Sequence, residues 1–327
     1  MNQRRRLLLA VGASALAAPF SSFSQPQGKV WRVGFLGTAT AAGYATRLAA
    51  LKLSLRELGY AEGKNIVFEE RWTDNNNARL PQLAGELVRA RCDVIVTSGT
   101  PGTLALKGAT ATIPIVMATS GDAVRAGLVA SLARPGGNVT GLTFFGPELY
   151  AKRVEMLKEV MPHIKVLAHL RNPDNLAYQT SFAEAEQAAA SLKLKLLTFE
   201  VRNMNDFDAA FVAMAKAHVD AVLVAQDSLL TSNHDKIAAL AAKHRLPAVG
   251  APELAEAGGM LGYGGNTLDL FRRSATYVDK ILKGAKPADI PVERPIKFDL
   301  IINMKTAKAL GIKIPNSILV RAEKVIE

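Results

Sequence analysis

The chain has 327 residues, of which 49% are hydrophobic, 21% charged and 6% aromatic, a globular composition that excludes a disordered tail or a low-complexity array. At about 100–200 residues per domain, the length implies two domains, each with its own core. The single cysteine, Cys92, excludes an intramolecular disulfide and a cysteine-rich metal site, and 40 basic residues against 29 acidic ones give a net charge of +11.

Arg4, Arg5 and Arg6 precede an apolar run, Leu7–Ala18, which Pro19 ends. This is the layout of a secretory signal peptide over residues 1–24 and implies a periplasmic mature protein. A membrane-spanning helix needs about 20 apolar residues, so the run is too short for an anchor. Cleavage fits after Ala17 or after Ser24, and the second suits a folded pattern that starts near Lys29. The arginines fit a twin-arginine export route as well as the general one. Removing residues 1–24 leaves 37 basic and 29 acidic residues, a charge of +8. Positives such as Lys152, Arg153, Lys158, Lys193 and Lys195 are scattered along amphipathic segments. They read as a solvated basic surface, with no nucleic-acid partner.

In chain order, Val30–Leu36 alternates and reads as a strand, followed by a small-residue loop, Gly37–Gly43. Ala45–Leu58 has helical spacing and stops at Gly59. Asn65–Trp72 is a strand, Leu80–Arg89 a helix and Asp93–Val96 a strand. Ser98-Gly99-Thr100 leads into a helix, and Ile113–Met117 is a fourth strand. The same pattern then starts again. Ile164–Leu170 (strand), the loop Arg171–Asn175, Tyr178–Leu192 (helix), Leu194–Val201 (strand), Asp206–Ala217 (helix), Asp220–Val224 (strand), the loop Gln226–Ser228, Asp235–Lys243 (helix) and Leu246–Val249 (strand) follow in order. Val33 matches Val166, Val94 matches Ala221 or Val222, and Pro114 matches Pro247, which makes an internal repeat.

The expected fold is α/β, with two similar doubly wound, Rossmann-like lobes and a ligand cleft where the carboxyl ends of their parallel strands face each other. Residues 266–284 read as a helix that returns to the first lobe, and Phe298–Asn303 with Met304–Leu310 as a last strand–helix pair. The expected lobes are 29–145 with about 266–290, and 146–265 with about 298–327. Hinges are expected near Phe145–Tyr150, Gly264–Asn266 and Pro291–Lys297.

The run GDAVRAGLVASLARPGGNVTGL (Gly121–Leu142) and the ending FDLIINMKTAKALGIKIP (Phe298–Pro315) resemble a bacterial ABC-transporter substrate-binding protein family. The likeness covers nearly all of Lys29–Glu327 and includes Ser98-Gly99-Thr100 and the Lys280–Gly284 turn. It implies the type I periplasmic-binding-protein architecture, a cleft that closes on a small solute, and membrane permease subunits as partners. Some members of that family are linked to aromatic amino acids such as tryptophan.

Chemical motifs are absent from the sequence. There is no nucleophile elbow, phosphate-binding loop or zinc helix. His163, His169, His218, His234 and His244 are not at ligand spacing to one another or to Cys92, so neither metal nor cofactor is expected. His218 and His244 end helices, and Cys92 reads as a buried inert thiol. The polar strand-end loops carry the candidate contacts instead. Gly37 and Thr38 follow the first strand, either flexing beside a ligand or forming a plain turn. Ser98, Gly99 and Thr100 offer backbone N–H groups to an anion, or cap their own helix. Thr119 and Asp122 follow the fourth strand, and Gln226 and Asp227 follow the third strand of the second copy. Either carboxylate suits a ligand ammonium or a helix cap. Arg171 and Asn172 end the second lobe's first strand. Tyr178, Tyr263 and Tyr44 are candidates to stack on a flat solute. A solute receptor of an ABC importer binding an amino-acid-like molecule fits these features best. A regulator's effector domain lacks its DNA-binding helices here, and a two-lobed enzyme such as a glycosyltransferase lacks its catalytic constellation.

Overall fold

Valine- and isoleucine-rich runs too short for helices build the first sheet. A computed structural model describes residues 29–143, 147–175 and 178–327, so the expected signal peptide lies outside the described residues. Trp31–Glu327 forms one unit. Strands β1 (Trp31–Gly37), β2 (Ile66–Trp72), β3 (Val94–Ser98), β4 (Ile115–Thr119) and β5 (Val139–Gly141) lie in the order β2-β1-β3-β4-β5, all parallel. A parallel sheet must be covered on both faces. Helix α1 (Ala41–Glu57) and a later helix, α10 (Thr267–Leu282), cover one face through Leu48, Leu51, Leu55, Phe271, Tyr277 and Val278. Helices α2 (Leu80–Arg89) and α3 (Thr100–Ala109) cover the other through Leu83, Leu87 and Leu106.

Helix α1 starts four residues before the expected Ala45. The Thr40 side chain accepts the Gly43 N–H at 3.1 Å and caps the helix there, so the loop after β1 shrinks to Thr38–Thr40. The far end behaves as expected, with Gly59 at φ +94° beyond the last turn.

The second lobe repeats the plan. It contains β6 (Val166–Arg171), β7 (Lys195–Glu200), β8 (Ala221–Val224), β9 (Ala248–Gly250), β10 (Leu261–Gly265), β11 (Phe298–Asn303) and β12 (Lys324–Ile326) in the order β12-β11-β10-β9-β8-β6-β7. Read from its end, β7-β6-β8-β9-β10 has the order of β2-β1-β3-β4-β5. Helices α4 (Pro147–Val160), α5 (Tyr178–Ser191), α6 (Asp206–Lys216), α7 (Ser228–Thr231), α8 (His234–Lys243), α9 (Pro252–Glu256), α11 (Met304–Leu310) and α12 (Asn316–Leu319) complete it. The sheet is not wholly parallel, because β10 and β11 pair antiparallel with Gly265 opposite Phe298. The chain leaves β10 for α10, which packs on the first lobe, and returns beside the point of departure.

The crossovers run side by side. A Cβ on Gly265 would lie 2.9 Å from Pro295, so only glycine permits the approach. Asn266 caps α10 by accepting the Asp269 N–H at 2.8 Å, while its Nδ2 donates to Asp299 of β11 at 2.7 Å. Of the expected hinge at Phe145–Tyr150, Phe145 lies outside the described residues and Tyr150 is buried in the first turn of α4.

Candidate functional site

The carboxyl ends of β1, β3 and β4 form the first wall. Gly37 lies under the Trp72 ring, which a Cβ would approach to 2.1 Å. Thr38 is buried; its Oγ1 donates to the Ser98 carbonyl at 3.1 Å and lies 3.1 Å from the Tyr44 hydroxyl. Gly99, at φ +90°, leads into α3, whose first turn has no side-chain cap. Its N–H donates to the Thr119 carbonyl at 2.8 Å. Thr100 Oγ1 instead accepts the Gly121 N–H at 3.1 Å, so neither Ser98 nor Thr100 caps this helix. Asp122 Oδ1 accepts the Val124 and Arg125 N–H groups, each at 3.1 Å, which makes it a turn cap. The Tyr44 ring is buried against Phe35, Trp72 and Phe271, inside the first lobe's core and not free to stack on a solute.

Asp227 anchors the second wall. It is buried, accepts the Leu229 N–H at 2.8 Å as the cap of α7, and takes Nδ2 donors from Asn175 at 2.7 Å and Asn172 at 3.3 Å. Burial raises its pKa, opposed by these donors. Arg171 turns to Glu200 at 2.6 Å and stacks over Phe182. Gln226 Oε1 accepts from Arg153 at 2.9 Å, and the Gln226 N–H donates to the Tyr150 hydroxyl at 2.9 Å. The Tyr263 carbonyl accepts Arg153 Nε at 2.7 Å, and the Tyr263 ring stacks on Phe298. Tyr178 begins α5, and its side chain lies outside the described residues.

The two walls face each other, and their loops meet at three places, two of them between equivalent loops of the repeat. After β3 and β8, a Cβ on Gly99 would lie 2.6 Å from Ser228 Oγ. After β2 and β7, Asn75 Nδ2 reaches Met204 Sδ at 3.5 Å. At the start of α1, a Cβ on Gly43 would lie 3.4 Å from Ser232 Cβ. These approaches bring the two walls together across an interlobe cleft. Among the described residues, no group of three His, Cys, Asp or Glu side chains is placed to hold a metal ion.

A sequence profile described as "ABC transporter substrate binding protein" matches residues 42–326. The chain belongs to this family. A solved structure, a conserved domain protein from Vibrio cholerae O1 biovar eltor str. N16961, is 30% identical, with a TM-score of 0.85 over 91% of this chain and 100% of that one. An ABC domain from Streptococcus pneumonia in complex with L-Trp is 27% identical, with a TM-score of 0.84 over 91% and 100%. A tyrosine-binding protein of Clostridioides difficile (strain R20291) is 26% identical, over 80% of this chain and 75% of that protein. The architecture is that of the type I periplasmic binding proteins.

In this substrate-binding protein, sequence reasoning missed several buried polar side chains. Arg153, expected on the solvated surface, is 0% exposed. It lies between Tyr150 and Leu157 on the apolar stripe of α4, and that helical spacing was the signal that could have placed it. Asn175, Asn233 and His234 are also buried. His234 and His169 are pushed down to about 3 by burial, so both imidazoles are neutral near pH 7. Burial raises the Cys92 thiol to about 11, which keeps it a thiol.

Proposed function

We propose that the protein is an extracytoplasmic receptor of an ABC importer that closes on an amino acid or a similar small zwitterion. The observation that carries this is the opposition of two different ends. In the first lobe, the start of α3 has no side-chain cap, and with the Gly99 N–H held by Thr119 and Pro101 lacking one, the Thr100 and Gly102 N–H groups are those suited to a carboxylate. Facing it across the Gly99–Ser228 approach, the second lobe holds the buried carboxylate of Asp227, suited to an ammonium. The L-Trp complex and the tyrosine-binding relative support an aromatic amino acid in particular.

The family is normally extracytoplasmic, in keeping with the N-terminal pattern Arg4–Ala18, which we read as a signal for export to the periplasm. The partners are membrane permease subunits, and the protein carries solute without chemical turnover. The lobes comprise 29–145 with about 266–290, and 146–265 with about 298–327. Closure brings in the second wall after the first has engaged the ligand.

A thermal-shift screen of the purified protein against the twenty amino acids and their N-acetyl and amide derivatives tests this. A free amino acid should raise the melting temperature by mass action, and both derivatives, each lacking one charge, should not. Equal shifts with the derivatives would exclude the two-ended reading.

A further inference from the structure

Residues 73–77, Thr-Asp-Asn-Asn-Asn, leave the carboxyl end of β2, the edge strand of the first sheet, on the way to α2. Backbone bonds fix the loop to the first wall: the Thr73 N–H donates to the Gly37 carbonyl at 3.1 Å and the Asp74 N–H to the Ala39 carbonyl at 3.3 Å. Asn75 Nδ2 reaches Met204 of the second lobe, so the loop spans the gap between the lobes.

Its side chains divide by position. Asp74 and Asn76 hold the loop itself: Asp74 pairs with Arg79 at 2.6 Å, and Asn76 Oδ1 accepts the Ala78 N–H at 3.1 Å. The side-chain oxygens of Thr73, Asn75 and Asn77 are buried and have no hydrogen-bond partner. Thr73 is 0% exposed, although its own backbone is satisfied through Gly37, Asn76 and Arg79. Leaving a buried polar group unmatched is costly, and three such oxygens on one five-residue loop are not accounted for by the fold. All three accept hydrogen bonds. The carboxylate of Asp227 differs from them: it already accepts three donors, from Asn172, Asn175 and the Leu229 N–H, and keeps about one acceptor site for an ammonium.

We infer that the 73–77 loop is the specificity element of the cleft, with Thr73 Oγ1 and the Asn75 and Asn77 amide oxygens accepting an N–H or O–H donor carried by the ligand's side chain. The inference rests on the amino-acid reading and adds which amino acids are favoured. Side chains with a polar hydrogen, such as a phenol or an indole, satisfy the loop. Isosteres without one leave its oxygens unmatched, and a site built to hydrogen-bond a ligand rejects such analogues strongly.

The test is calorimetry with two ligand pairs that differ only in the donor: tyrosine against phenylalanine, and tryptophan against its benzothienyl analogue. The parent should favour the donor in at least one pair by about tenfold or more. Thr73→Val, an isosteric change, should bring that ratio close to one without lowering the melting temperature of the ligand-free protein. Thr73→Ser, which keeps the hydroxyl, should restore the ratio, and Asn77→Leu should reduce it. Equal binding of both members of each pair by the parent, or an unchanged ratio in Thr73→Val, would overturn the inference while leaving the amino-acid reading intact. Binding of no amino acid at all would overturn both.

Discussion

On the proposed function Asp227 has two tasks, which one substitution can separate. It caps α7 through the Leu229 N–H, and it presents a buried carboxylate at the cleft. Asp227→Asn keeps an oxygen for the cap and removes the charge. Breaking a buried charge pair costs about 3–5 kcal/mol, so amino-acid affinity should fall by at least about a hundredfold while the melting temperature of the free protein changes little. Asp122→Ala, which loses only a turn cap, should keep most of the affinity. Calorimetry that finds the reverse order would move the ammonium to the first lobe. The histidines give a second prediction. The folded-state pKa of His169 and His234 is about 3 against an ordinary 6.5. Between these values the unfolded chain binds protons that the folded one does not, so stability present above pH 6.5 is lost as pH falls. The urea midpoint should drop between pH 7 and pH 4, and His169→Phe should flatten that slope. The place of Asp227 just after a strand was legible in the sequence, as was one of the two alternatives for it, a helix cap. Arg153 looks like surface when taken as a lone cation, and only its i−3 and i+4 spacing to the apolar Tyr150 and Leu157 marks it as inward-facing.

At the level of elements, long periodic segments were legible. Leu80–Arg89, Phe298–Asn303 and Met304–Leu310 fall where spacing puts them. Strands β5 and β10 were missed because Val139–Gly141 is three residues long and Leu261–Gly265 contains three glycines, so neither has a measurable alternation. Helix α10 shows what a strong period achieves: Phe271, Ala275, Tyr277, Val278 and Ile281 are buried on one face against the first sheet. Phe271→Ala should cost about 3–5 kcal/mol, measured as a fall in the urea midpoint. Gly99 governs an approach between lobes. A methyl group there would meet Ser228 and strain a backbone at φ +90°. Gly99→Ala should therefore weaken ligand binding by about tenfold or more at a cost to folding of only about 1–2 kcal/mol. Undiminished affinity in that variant would mean that the Gly99–Ser228 approach is not needed in the bound state.

For the whole molecule, the repeat was the most informative signal. Matches such as Val33 with Val166 and Val94 with Ala221 anticipate two sheets that share the order β2-β1-β3-β4-β5 and β7-β6-β8-β9-β10. The antiparallel β11 was not legible, since nothing local in Phe298–Asn303 tells which neighbour it pairs with. Nor was the meeting of Asn75 with Met204, 129 residues apart, because contacts across a cleft leave no periodic trace. The central claim is that these lobes close on an amino acid, and small-angle X-ray scattering of the purified protein tests it most directly. Profiles would be recorded with no ligand and with saturating L-tryptophan or L-tyrosine. The account predicts a smaller radius of gyration with at least one of them, and recovery of the larger value in Gly99→Ala at the same ligand concentration. A profile that does not change on saturation by a ligand shown to bind would contradict it.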